Sequence, residues 1–147
     1  MHRLTLAAAS EIADAALAEA RSRSFAPLAV VVLDAGAHPV LLKREDGASL
    51  MRVDIATAKA SGALGMGYNT REMTKRANAM PVFYAALNAI SGGGMAPSPG
   101  GVLIRNAEGE LIGAVGISGD TGDADEICAV AGVLAAGLVS DPAMAGG

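Results

Sequence analysis

Six consecutive apolar residues, Leu28-Ala29-Val30-Val31-Val32-Leu33, run into Asp34-Ala35-Gly36-Ala37 and then His38-Pro39-Val40-Leu41-Leu42-Lys43-Arg44. The first segment reads as a strand buried on both faces, the second as a turn, and the third as the returning strand of a hairpin. Pro39 cannot donate to a hydrogen-bond ladder, which places its strand at a sheet edge or beside a bulge. A second hairpin joins Val102–Arg105 to residues 110–117 through Asn106-Ala107-Glu108-Gly109. Gly113 and Gly116 within that returning strand mark places where another backbone or a ligand comes close. Two hairpins specify a mainly antiparallel sheet, and the helical segments must cover it.

The helical segments follow from three- and four-residue apolar spacing. Residues 5–23 form one, with Leu6, Ala9, Ile12, Ala13, Ala16, Leu17 and Ala20 on one face. A second runs from about 50 to 66, with Ser49 as its N-cap and Met51, Ile55, Ala58, Gly62 and Met66 as its apolar stripe. A separate stripe holds Arg52, Ala56, Lys59 and Ala63, so the two cations share a face lined by small residues. Gly65 and Gly67 end this helix. Thr70 starts a short helical segment, and Pro81 suits the first turn of another that reaches Ile90. Asp123 is expected to cap the last helix, with Glu126 completing a capping box. Its expected buried face is Ile127, Val130, Ala131, Leu134 and Leu138, and the tail from Asp141 is expected to be loose. The order is an α+β domain of the αββαββα type, one domain over residues 1–147.

Composition narrows the function classes. Hydrophobic residues are 52 % of the 147, yet aromatics are 3 %, Trp is absent and Gly numbers 19. The core must therefore come from small aliphatic side chains and closely approaching backbones. Formal charge is −4, so the basic excess and stacking rings of a nucleic-acid binder are missing. No window has the ~18–20 apolar residues of a membrane span. Glu11 and Asp14 interrupt the N-terminal apolar run before it makes a secretory signal, which makes cytoplasmic residence the expectation. The single Cys128 excludes an intramolecular disulfide framework and reads as a buried, inert thiol.

The chemistry-bearing residues admit alternatives. His38 is either a hairpin residue with a local hydrogen bond or a ligand or acid–base group; no second His stands at ligand spacing, so no metal site is expected. Lys59 lies either on a solvated helix face or in a pocket or interface, where desolvation would make it a reactive amine. Gly92-Gly93-Gly94 is either a connector or a loop that offers N–H groups to an anion. Met95 brings a soft side chain to the same loop. Asp120, Asp123, Asp125 and Glu126 lack calcium-loop spacing.

Taken together, these landmarks resemble the GlcG/HbpS-like heme-binding family, which includes the C-terminal domain of PduO-type proteins. The resemblance rests on Val31-Val32-Leu33-Asp34 leading to Gly36-Ala37-His38, on Arg44-Glu45-Asp46-Gly47-Ala48, on Ala58-Lys59-Ala60, on Gly92-Gly93-Gly94 with Pro97, and on residues 109–119 followed by Asp125-Glu126. It implies a profilin-like fold, a homo-oligomer, and binding of heme or another tetrapyrrole. Heme-binding members carry an iron-ligating His just before the first strand; the matching position here is Pro27.

Three functions follow as expectations. The first is a small-ligand-binding protein with His38, Lys59, Gly92, Gly93, Gly94 and Met95 in its site. The alternative is a cofactor-free isomerase, tautomerase or hydrolase of organic-acid catabolism, built on Lys59, His38 and the glycine loop. The third is an assembly protein acting through its oligomer surfaces.

Overall fold

The computed structural model describes residues 2–147; Met1, the first residue of the expected domain span, lies outside them. The chain forms α1 (Leu6–Ser22), β1 (Ala29–Asp34), β2 (Pro39–Arg44), α2 (Arg52–Met66), α3 (Thr70–Ala79), α4 (Pro81–Ile90), β3 (Gly101–Arg105), β4 (Leu111–Ser118), α5 (Gly122–Ala135) and β5 (Val139–Asp141). The strands make one antiparallel sheet in the order β2-β1-β4-β3-β5. This is the α+β, profilin-like architecture, with β5 added at the sheet edge beyond the two expected hairpins.

The sheet is buried on both faces because side chains alternate along each strand. Val30, Val32, Val115 and Ile117 face one layer, where α1 and α5 supply Ile12, Ala13, Ala16, Cys128, Ala129 and Val133. Ala29, Val31, Leu33, Leu103 and Ala114 face the other, where α2 supplies Ala56, Ala60 and Ala63. Pro39 is both at an edge and beside a bulge: β2 is the outer strand, and its register with β1 shifts between Val32 and Leu33.

Backbone proximity replaces bulk in this core. A Cβ on Gly116 would collide with the Ala56 carbonyl oxygen of α2. One on Gly101 would lie 2.5 Å from the Lys59 carbonyl oxygen, and one on Gly132 would lie 2.5 Å from that of Ile12. Small residues thus draw α2 onto the sheet and α5 onto α1.

Several local expectations need correction. Of the expected stripe of α2 Gly62 is buried, but the rest of the buried set is Ala56, Lys59, Ala60 and Ala63, while Met51 is exposed. The sheet offers glycines there, and only alanine-sized neighbours fit against them. Ser49 does not cap α2; its hydroxyl instead accepts a hydrogen bond from Arg52 Nε. Thr121, not Asp123, caps α5 by accepting from Ala124 N. Val130 and Leu138 are buried as expected, but the buried face of α5 turns toward Asp125, Cys128, Ala129, Gly132 and Val133, leaving Leu134 exposed. The tail is anchored: β5 pairs with β3, and Gly146 N donates to Glu126 Oε1 at 2.5 Å.

Candidate functional site

Lys59 is carried by α2 onto the sheet, where its side chain becomes 3 % exposed. Its ammonium donates to the Ile117 carbonyl oxygen at 2.8 Å and to Asp125 Oδ2 at 3.0 Å. Asp125 Oδ1 accepts from Asp120 N at 3.0 Å. Burial holds the Lys59 ammonium below the ordinary lysine range, with Asp125 opposing that shift and Arg52 adding to it. Burial likewise raises the Asp125 carboxyl against the pull of Lys59. The pair links α2, β4 and α5 and leaves no buried polar side-chain atom unpartnered among the described residues.

The other expected residues lie elsewhere. His38 stands in the exposed β1–β2 turn, its Nδ1 3.3 Å from Asp34 Oδ1, at the opposite end of β1 from Lys59. Gly92 and Gly93 take positive φ of 65° and 82°, which the turn after α4 requires, and their N–H groups cap that helix by donating to Ala89 and Asn88. Gly94 meets α2, its carbonyl accepting from Ser61 Oγ at 2.9 Å. Gly94 and Met95 line a cavity of about 200 Å³ with Gly62, Met66, Leu87 and Ile90. The structure therefore joins the end of the glycine loop to Met95, and separates both from the Lys59 ammonium and from His38.

Larger clefts lie at the surface, and two of them bear on ligand binding. One, of about 440 Å³, is lined by Arg21, Pro27, Arg44, Glu45 and Asp46. Glu45 is committed within it, accepting from Leu28 N at 2.9 Å and pairing with Arg21 Nε at 3.0 Å. Heme iron takes His, Cys, Met or Tyr as axial ligand, and no such side chain lines this cleft. Its residues do not fit axial ligation, although its guanidinium groups fit carboxylates.

The second, of about 530 Å³, lies between α3 and the anchored tail and is lined by Tyr68, Asn69, Arg76, Asp141 and Met144, among others. Sequence reasoning missed this cleft, because the tail was expected to be loose. Asn69 caps α3 by accepting from Glu72 N. Arg76, two turns on, lies 4.2 Å above the Tyr68 ring and pairs with Glu72 Oε1 at 3.1 Å. The Tyr68 and Tyr84 hydroxyls are hydrogen-bonded, and Phe83 meets the Tyr84 ring edge-on at 5.8 Å. Three of the chain's four aromatic side chains thus form one cluster, of which Tyr68 lines this cleft. Tyr84 is buried, and burial followed by its bond to Tyr68 pushes its phenol up to about 12. Beside the cleft, Arg71 Nε lies 3.1 Å from both oxygens of the fully buried Glu126, and Arg71 also pairs with Asp123. Glu72 and Asp141 share this lining, the Tyr68 hydroxyl is committed to Tyr84 and Arg76 to Glu72, so the cleft does not present a free tyrosine as axial ligand for iron. Among the described residues, no group of three His, Cys, Asp or Glu side chains can hold a bare metal ion.

Comparison with known proteins bears on the fold and the family. Residues 4–134 match the family described as haem degrading protein HbpS-like. An uncharacterised 15.0 kDa protein from the dhaT-dhaS intergenic region of Citrobacter freundii is 33 % identical over 132 residues, covering 86 % of this chain and 87 % of its own. The crystal structure of HbpS superposes with a TM-score of 0.78 at 30 % identity, over 91 % of this chain and 90 % of that one. A PduOC:heme complex shares the fold, with a TM-score of 0.85 at 24 % identity, over 95 % and 99 %. By the match over residues 4–134 and by fold, the chain belongs to the HbpS-like family.

Proposed function

We propose that this chain is a non-catalytic small-molecule-binding protein whose ligand is heme or a related tetrapyrrole. The observation that carries the reading is the match of residues 4–134 to a family described by its haem chemistry, in a chain whose surface offers clefts of up to about 530 Å³. Pockets that hold ligands of this kind run to roughly 300–1,000 Å³ and combine apolar walls with a few polar groups. A heme complex of the structural relative PduOC supports the choice of ligand. Iron is not ligated at position 27, because proline has no donor there.

The enzyme reading has less support. Its central group, Lys59, lines none of the cavities described above, and its ammonium is committed to Asp125 and Ile117. We also infer that the protein is a homo-oligomer. α4 packs on α3 and leaves Val82 85 % and Ile90 78 % exposed, in a stretch from Ala77 to Ile104 without a charged residue.

Thermal unfolding tests the ligand. A ligand that binds only the folded state stabilises by ~2.7 kcal/mol at a hundred times its Kd. Hemin is expected to raise Tm in a saturable way. An unchanged Tm at excess hemin contradicts the proposal.

A further inference from the structure

We infer that the cavity between α2 and α4 is a separate binding site, and that it takes a small neutral phenol or aromatic alcohol. The inference goes beyond the tetrapyrrole reading and stands whether or not hemin binds.

The walls are apolar and uncharged. α2 supplies Gly65 and Met66, α4 supplies Leu87 and Ile90, and the glycine loop supplies Met95. No Asp, Glu, Lys or Arg side chain lines the cavity. A charged molecule would lose its water here without gaining a counter-charge, so the site selects a neutral one. Ile90, 78 % exposed, marks the mouth.

Two glycines on α2 define the room. At Gly62 the packing is closed, since a Cβ there would meet Met73 Cε at 3.1 Å and the Gly94 carbonyl oxygen at 3.3 Å. At Gly65 a Cβ would meet nothing within 4 Å. The cavity measures about 200 Å³. An apolar cavity of ~150 Å³ holds benzene, so this one suits a single ring with a short substituent. Met66 and Met95 bring two thioethers to the walls, and thioether sulfur makes favourable contacts with aromatic rings.

Two hydroxyls supply the polar end. Ser61 and Ser91 both line the cavity. Ser61 Oγ donates to the Gly94 carbonyl oxygen at 2.9 Å, and Ser91 Oγ donates to that of Asn88 at 3.1 Å. With its proton committed, each oxygen keeps lone pairs that accept. An O–H donor on the ring is the group that answers them.

The test titrates phenol and toluene into the full chain with isotope-labelled methionine methyl groups and follows those groups by NMR. Both probes are expected to shift Met66 and Met95 in a saturable way and to leave the exposed Met51 and Met144 unmoved. Gly65→Leu places a side chain in the open space and is expected to weaken both probes about tenfold or more. Ser61→Ala/Ser91→Ala is expected to weaken phenol about two- to tenfold and to leave toluene unchanged. Absence of a saturable shift at Met66 and Met95 overturns the proposal, whether the cavity then stands empty or holds a side chain of a second copy. Equal movement of Met51 and Met144 overturns it as surface partitioning. Wild-type binding by Gly65→Leu overturns the place, and equal loss of phenol and toluene in the serine variant overturns the ligand class. Should a variant not fold, nuclear Overhauser contacts from the phenol ring to the Met66 and Met95 methyl groups of the wild type decide, and their absence contradicts the site.

Discussion

The Lys59 ammonium lies 3.0 Å from Asp125 Oδ2, with the two side chains 3 % and 1 % exposed. α2 and α5 are separate in sequence, and this contact pins both to the end of β4. Removing one partner of a buried pair leaves an uncompensated charge, which costs ~3–5 kcal/mol. Lys59→Met is therefore expected to lower stability by about that amount in urea unfolding, and Lys59→Met/Asp125→Leu to recover much of it. A single variant as stable as the wild type would contradict the structural role.

Gly116 makes a second, independent prediction. Its missing Cβ admits the Ala56 carbonyl of α2, so Gly116→Ala must push helix and sheet apart. The expected loss is ~1–3 kcal/mol. Gly65, on the same helix, has open space where its Cβ would stand. Gly65→Ala is expected to be neutral or to stabilise by ~0.5–1 kcal/mol, through helix propensity. Paired denaturant midpoints check the contrast.

Cys128 predicts an alkaline limit. Burial pushes its thiol up to about 12 in the folded protein, whereas an unfolded thiol ionises near 8.5. Between those values the unfolded chain holds fewer protons, so stability is full below the lower value and falls as pH rises toward the upper. Cys128→Ala is expected to flatten that slope in unfolding experiments from pH 8 upward. The native thiol should stay unreactive toward iodoacetamide until the chain unfolds.

The exposed apolar face of α4 predicts the assembly state. Val82→Asp/Ile90→Asp places charge where Val82 and Ile90 are 85 % and 78 % exposed. In sedimentation velocity, the wild type is expected to run as an oligomer and the double variant as a smaller species with unchanged circular dichroism. A wild-type monomer would contradict the interface.

Much of the fold was legible because backbone-restricting residues speak locally. Pro39 announced an edge and a bulge, Pro81 opened α4, and Gly67 closed α2 with φ of 80°. The caps were harder. Asp123 and Glu126 fit a capping pattern, but Thr121, two residues earlier, accepts from Ala124 N, freeing Glu126 for Arg71 and Gly146. The face α2 buries was misread because its stripe of alanines and one lysine is the less hydrophobic one. Only the glycines on the facing strands explain why it is inside. The candidate cleft left little trace in the sequence. Tyr68 and Tyr84 stand 16 residues apart on either side of α3, and no local spacing rule joins them. β5, which shapes the cleft's other wall, was hidden in a tail of small residues.

The most direct measurement of the central claim is a visible absorption titration of hemin into the purified full chain. The account predicts a saturable Soret shift that ends at a fixed hemin-to-chain ratio. A linear, unsaturating response indistinguishable from hemin in buffer would contradict it.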